Sequence, residues 1–96
     1  MTLNPNPTVE SISAKDARRK ATGYVAFNCG QAFVTEEPRL VGDRWEVPIW
    51  AANQTGKIKE VGIIGVGLDG EVEVSEEERL NLKSAAIAAL EEAAIG

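Results

Sequence analysis

The chain has 96 residues, of which 44% are hydrophobic, 26% charged and 5% aromatic, with one cysteine and no histidine. This length predicts a single domain, because each of two domains would be too small to bury a self-sufficient core. Without histidine there is no Ser-His-Asp triad, no Cys-His pair and no histidine ligand for a metal. A single cysteine excludes an intramolecular disulfide and a thiolate zinc site.

The net charge of −5 is unevenly placed, because residues 1–44 carry +1 and residues 45–96 carry −6. An acidic domain is repelled by phosphate backbones, so we expect no nucleic-acid partner. The one basic cluster contains Lys15, Arg18, Arg19 and Lys20. It lacks the interleaved aromatic residues of single-strand nucleic-acid sites, and we expect it to be the solvated side of a helix. The functional alternative is a patch for a small anion or an acidic partner.

The start of the chain has no apolar segment of the signal-peptide kind. The longest uncharged apolar stretch, Val61–Leu68, is too short to cross a bilayer, so we expect no membrane association. The predicted location is cytoplasmic, where the unpaired Cys29 stays reduced, unless a leader has been removed ahead of Met1. Residues 1–12 are predicted to be a flexible lead-in, and residues 13–96 a single α+β domain.

The chain begins and ends with predicted helices. Ser13 is the expected N-cap of a helix that ends around Asn28, with Gly30 as a left-handed cap. Ser75 and Glu78 form a capping-box pattern, which predicts a second helix over about residues 76–94.

Between the helices the apolar period changes to that of strands. Four strands are predicted over residues 32–41, 44–51, 57–68 and 71–74, with the first interrupted at Glu36–Pro38. Gly42-Asp43 and Asp69-Gly70 are tight-turn signals, so consecutive strands pair as antiparallel hairpins. The predicted fold is a four-stranded antiparallel meander flanked by an N-terminal and a C-terminal helix, in two layers and in the order α-β-β-β-β-α.

Gly65–Gly70 matches the dinucleotide pattern G-x-G-x-x-G. That motif opens a helix inside a βαβ unit, whereas the residues after Gly70 alternate as another strand. We therefore expect a hairpin and no cofactor, with the glycines allowing close approach of a helix or another backbone. Asp69, Glu71 and Glu73 are at alternate positions, so their carboxylates could converge on one face. A charged outer face is favoured over a metal site there. No catalytic or metal-binding residue is assigned.

Hydrophobic residues interrupt the alternation expected of a sheet with one wet face. In the second strand Trp50 and Pro48 point to the face opposite that of the other apolar residues. In the third strand Val61 and Ile63 point to the face opposite that of Ile64. Two explanations stay open. Val61 and Ile63 are covered in a central strand, or the second face is an interaction or oligomer surface. The candidate interaction surface consists of Trp50, Pro48, Val61 and Ile63.

A family resemblance is carried by the leading helix and by three segments, Trp45–Ile49, Gly56–Gly62 and Leu68–Val72. Through them the chain resembles the PepSY and PepSY-like group of small α+β domains. The resemblance covers about residues 13–74. The chain departs from the family pattern where Asp69 abuts Gly70, in its extra C-terminal helix, and in its lack of a visible leader. The resemblance implies a non-catalytic domain that binds or inhibits another protein such as a peptidase, with Trp45 and Asp69 as structural markers.

The predicted function is that of a small non-enzymatic interaction or regulatory domain, with a protein partner or self-association as a homo-oligomer. An alternative is a small-ligand-binding domain with a pocket between sheet and helices, near Tyr24 and Trp45. A less favoured alternative is a small enzyme using carboxylates, led by Asp69 or Glu71, which would need two groups with separated pKa values.

Overall fold

A computed structural model describes residues 12–30 and 32–95. The predicted lead-in, residues 1–12, lies outside the described residues apart from Ile12. The elements in chain order are α1 (Ala14–Asn28), β1 (Phe33–Thr35), β2 (Arg39–Val41), β3 (Arg44–Asn53), β4 (Gly56–Gly67), β5 (Val72–Glu73) and α2 (Glu76–Ile95). The α+β class and the flanking of the sheet by the two helices are confirmed.

Both helices start at the predicted caps. Ser13 Oγ accepts a hydrogen bond from the backbone N–H of Asp16 at 3.1 Å, which begins α1. The Ser75 N–H donates to Glu78 Oε1 at 2.8 Å, and the Glu78 N–H donates to Ser75 Oγ at 3.1 Å. This reciprocal capping box begins α2. Such caps depend on residues three positions apart, so local sequence is enough to locate them.

The sheet is antiparallel and is built around β3. On one side β3 pairs with β1 and β2 in succession, and on the other side it pairs with β4, which in turn pairs with β5. The predicted first strand is thus divided into two, which gives five strands. The Glu36 N–H donates to the carbonyl of Pro48, whose own nitrogen has no hydrogen to return. Pro48 in β3 and Pro38 in the segment opposite it therefore account for the gap between β1 and β2.

Both helices pack on the same face of the sheet. That face presents alternate residues of β3 and β4. The buried hydrophobic side chains from sheet and helices are Ala17, Ala21, Val25, Val47, Ile49, Ala51, Ile64, Val66, Leu82, Ala86 and Ala89. Trp45 closes one end of this core, where its indole N–H donates to the Ile12 carbonyl at 3.0 Å. The result is two layers, as predicted from the element order.

Strand β4 contains two bulges that sequence parity did not reveal. Consecutive residues of β3 pair with Gly62 and then Glu60, so that one residue of β4 is skipped. The same happens between Lys59 and Lys57. Val61 and Ile58 are the extra residues, and each bulge turns its extra side chain towards the helices. The bulges therefore explain why apolar residues at both even and odd positions of β4 mostly face the same core.

Candidate functional site

An apolar patch lies on the face of the sheet opposite the helices, here called the open sheet face. It consists of Val34, Pro48, Trp50 and Ile63. Val34 stands opposite Trp50 in the β1–β3 register, and Pro48 stands opposite Ile63 in the β3–β4 register. Val34 is 37% and Ile63 41% exposed, while Trp50 and Pro48 are half-buried by their neighbours. Among the described residues no helix packs on this face.

The structure brings together three of the four residues of the predicted interaction surface. Trp50, Pro48 and Ile63 share the open sheet face. Val61 lies on the helical face, where it packs against both parts of the core. The bulge at Val61 is the physical reason, because the extra residue breaks the two-residue period on which the parity assignment depended. Val34 joins the surface instead, and its register opposite Trp50 could not be read from local sequence.

Charged side chains lie around the Trp50 ring at one end of the patch. The Lys57 ammonium lies 5.1 Å from the centre of the ring, within the range of a cation–π contact. Lys57 also forms an ion pair with Glu36, and Glu60 stands opposite Trp50 in the register. The Trp50 indole therefore has a cation beside its ring and carboxylates nearby.

A second charged group closes the other end of the open sheet face. Arg44 pairs with Glu73 at 3.3 Å and with Glu46 at 3.4 Å, and the hydrogen bonds that its guanidinium donates to these two carboxylates raise its pKa. A β-carbon built at Gly65 would lie 2.7 Å from Arg44 Nη1. At Gly67 it would lie 2.7 Å from the Asp69 carboxylate. These glycines of the G-x-G-x-x-G pattern thus make room for side chains of the sheet itself, inside β4 and its hairpin.

Of the three carboxylates considered for chemistry, those of Asp69 and Glu73 are occupied in local contacts, and Glu71 is exposed. Asp69 Oδ1 accepts the Glu71 N–H at 3.0 Å, as part of the turn, and Glu73 pairs with Arg44. Within residues 12–30 and 32–95, His, Cys, Asp and Glu side chains form no group of three that could hold a metal ion. The arrangement gives neither Asp69 nor Glu71 the desolvated setting that acid–base chemistry requires.

A small cavity lies between α1 and β1, away from Trp45. It has a volume of about 240 Å³ and is lined by Thr22, Phe33 and Thr35 among others. The hydroxyls of Thr22 and Thr35 hydrogen-bond to each other at 3.0 Å, and Arg18 Nε donates to Thr35 Oγ1 at 3.0 Å. Its volume is below the roughly 300–1,000 Å³ of most ligand sites. Its hydroxyls already have partners, so this cavity gives the small-ligand alternative little support.

Tyr24 and Cys29 lie together near the end of α1. Burial is the largest cause that raises the pKa of each, and in Cys29 the nearby Arg79 and Lys83 partly oppose it. A thiol whose pKa is raised is a poor nucleophile at neutral pH, because little of it is thiolate. This agrees with the expectation that both residues serve the core.

Arg18 differs from the rest of the predicted basic cluster. Besides its bond to the Thr35 hydroxyl, its Nη2 donates to the Thr35 carbonyl at 2.6 Å. Arg18 therefore joins α1 to β1, whereas the expectation placed it on a solvated side. Phe27, which the sequence reasoning did not single out, is 90% exposed on the outer side of α1. Helical spacing places it on the same side as the remaining cations, which is the signal that was missed.

Comparisons with protein-family models, with curated proteins and with solved structures found no match to the chain. The resemblance to PepSY domains accordingly stays a prediction. Neither helix in the described part of the chain combines the length and the apolar character needed to cross a membrane.

Proposed function

We propose that this chain is a non-catalytic interaction domain that self-associates through the open sheet face. The observation that carries the proposal is the apolar patch of Val34, Pro48, Trp50 and Ile63 on a face to which neither helix contributes. Proline and tryptophan side chains two positions apart in a strand, and so neighbours on one face, are unusual on a wet sheet surface. Contiguous apolar patches of this kind are typical of protein interfaces.

The charges around the patch favour a second copy of the chain as the occupant. Three cations and four anions flank it, namely Arg39, Arg44 and Lys57 with Glu36, Glu46, Glu60 and Glu73. The face is therefore close to neutral, although the whole chain carries −5. Two acidic molecules repel each other least where their charges balance. In a two-fold dimer, moreover, each cation at one end can meet an anion at the other.

The dimensions of the face predict a weak dimer. β3 has ten residues and is flanked by β4 on one side and by β1 and β2 in succession on the other, so the face is three strands wide. At about 3.4 Å per residue and about 4.8 Å per strand, the footprint is on the order of 500 Å². A standard interface buries about 800 Å² per partner, so this one is at the lower end of the range. We expect association in the micromolar range, which suits a regulatory domain that exchanges its own copy for another protein.

Sedimentation or light scattering over a range of concentrations tests the proposal. Trp50→Ser and Ile63→Ser should each give the mass of one chain at concentrations where the wild type is a dimer. The matched control is Leu40→Ser, because Leu40 is 56% exposed but stands opposite Trp45 on the helical face. A wild-type chain that stays monomeric, or a Trp50→Ser dimer of unchanged stability, would contradict the proposal.

A further inference from the structure

The outer side of α1 carries a second exposed surface, independent of the open sheet face. α1 buries Ala17, Ala21 and Val25, so residues about half a turn away point outwards. These are Lys15, Arg19, Lys20, Gly23, Ala26 and Phe27, here called the α1 outer surface. Its cations lie in the first turns of the helix and its apolar residues in the last, so charge and hydrophobicity are separated along one helix.

Gly23 leaves a gap in the middle of this surface. Glycine is among the least favourable residues inside a helix. At Gly23 neither of the usual reasons for accepting it applies, because its φ is not positive and a β-carbon there would meet nothing within 4 Å. The fold itself does not use the gap. A helix of another molecule can use it, since a small residue at a crossing point lets two helices approach closely.

Phe27 makes the apolar half of the surface unusual. At 90% exposure its ring rests on almost nothing in the described structure. Beside it lies a shallow cavity of about 380 Å³, lined by Lys20, Gly23, Phe27 and Gly70 among others. On the other side of Gly23 a second shallow cavity of about 450 Å³ includes Lys15 and Arg19. The depressions on both sides of Gly23 give a partner space for side chains along the helix.

The charge of the surface indicates an acidic partner. Within the described residues Lys15 and Lys20 enter no ion pair, and Arg19 pairs only with the exposed Asp16 of its own helix, at 3.4 Å. The chain as a whole carries −5, so this is a cationic area on an acidic molecule. Positive side chains beside an apolar anchor fit a segment that carries carboxylates next to large apolar residues.

We propose that the α1 outer surface binds an acidic amphipathic helix of another protein, which crosses α1 at Gly23. Large apolar side chains of that helix pack on Phe27 and Ala26, and its carboxylates pair with Lys15, Arg19 and Lys20. A single-stranded nucleic acid fits less well, because one aromatic ring offers no series of stacking positions and the acidic molecule repels phosphates. An anionic membrane fits less well too, because the apolar area is limited to the end of the helix.

Fluorescence anisotropy tests this with a labelled alanine-based helical peptide that carries glutamates on one face and leucines at three- and four-residue spacing on the other. The wild type should bind it in a saturable, salt-sensitive way, and at least tenfold more tightly than the same peptide with glutamine in place of glutamate. Lys20→Glu and Phe27→Ser should each weaken binding about tenfold. Lys59→Glu, the same charge change at an exposed position of β4, is the matched control and should leave it unchanged.

Gly23→Gln separates binding from folding. Glutamine is a better helix former than glycine, so the variant should melt at a higher temperature than the wild type. Its side chain fills the gap, so its peptide affinity should nevertheless fall about tenfold. Trp50→Ser should bind the peptide as the wild type does, which keeps this test separate from that of the dimer.

Several results would overturn the proposal. One is equal affinity for the glutamate and glutamine peptides, and another is unchanged binding by Gly23→Gln. Tighter binding to phosphatidylserine vesicles or to a single-stranded oligonucleotide, lost in Lys20→Glu, would assign the surface to a different partner. Assemblies larger than a dimer that Lys20→Glu abolishes would assign it to a second copy of this chain.

Discussion

Leu82 of α2 occupies the space that Gly62 leaves on the core face of β4. A β-carbon built at Gly62 would lie 2.6 Å from Leu82 Cδ2, closer than two carbon atoms can stand. Leu82 is only 4% exposed and belongs to the main core cluster, so its side chain has little room to move away. The missing side chain in the sheet therefore sets how closely the C-terminal helix approaches.

Gly62→Ala is expected to destabilise the protein by about 1–3 kcal/mol, the usual cost of overfilling a packed core. Leu82→Ala alone should cost about 2–5 kcal/mol, because it leaves a cavity. In the double variant the alanine at position 62 has room. The double variant should therefore lose less unfolding free energy than the two single variants lose together. Urea unfolding of the four proteins measures this coupling. Additive losses would show that the two residues do not depend on each other.

A glycine on the open sheet face is the control. A β-carbon at Gly65 would also come close to a side chain, but that side chain is the Arg44 guanidinium, at the end of a flexible stem that is 41% exposed. Arg44 can swing outwards at little cost, so Gly65→Ala should change the free energy of unfolding by less than about 1 kcal/mol. The two substitutions together test whether burial of the neighbour, and not closeness alone, decides the effect.

The same strand shows where sequence reasoning ends. The hairpins were predicted correctly, because turn residues such as Gly42-Asp43 act locally, and Gly42 indeed has φ +63°. The bulges were not predicted, because whether Val61 gains an extra position in β4 depends on pairing with β3 and on the helix packed below. A bulge breaks the two-residue period at its extra residue, which is why Val61 was grouped with Ile63.

Aspartate substitutions at Val61 and Ile63 distinguish the two faces. Val61→Asp would place a carboxylate against the apolar core, so we expect a loss of about 2–3 kcal/mol in unfolding free energy. Ile63→Asp places it on the open sheet face, in contact with water, so the loss should stay below about 1 kcal/mol. Urea unfolding at low protein concentration, where both are monomers, measures the difference. Equal losses would mean that the two side chains share one face.

Arg18 fixes α1 to β1 through two hydrogen bonds to Thr35, a residue only 7% exposed. Arg18→Met keeps the aliphatic stem but removes these bonds, so the expected loss is about 1–2 kcal/mol, reduced from the buried value because the side chain is 46% exposed. Arg19→Met removes only an exposed pair within α1 and should change stability by less than about 0.5 kcal/mol. Denaturant unfolding compares the two, and equal losses would remove the assigned role of Arg18.

These two arginines show that the tertiary fold decides which side chains belong to each candidate surface. Both lie in one basic run and were grouped on that basis, although helical spacing places Arg18 on the side of the buried Ala21 and Val25. The difference arises because α1 passes over β1 and brings Thr35 within reach of Arg18 only. Likewise, Trp50 was recognised from parity within its own strand, whereas its neighbour Val34 comes from a strand sixteen positions earlier in the chain. Local patterns predicted the elements, and non-local pairing decided which residues share a surface.

The thiol of Cys29 should react slowly at neutral pH. Burial raises its pKa above the ordinary value of 9.0, while Arg79 and Lys83 lower it in part. We therefore expect the rate of alkylation by iodoacetamide, measured on the folded protein, to rise with a midpoint above pH 9.0. Arg79→Met removes a cation that favours the thiolate, so its midpoint should be higher still, and Lys15→Met, on the outer side of α1, should leave it unchanged.

The same raised pKa makes stability depend on alkaline pH. The folded protein holds the proton of Cys29 more tightly than the unfolded chain does, so the stabilising contribution is complete below pH 9.0 and is lost as the pH rises through the folded pKa. Tyr24 adds a similar loss above 10.0, because burial raises its pKa too. Cys29→Ala should retain more of its neutral-pH unfolding free energy at pH 10 than the wild type retains. An alkylation midpoint below pH 9.0, or the same alkaline loss in Cys29→Ala, would show that the thiol is not held protonated by its burial.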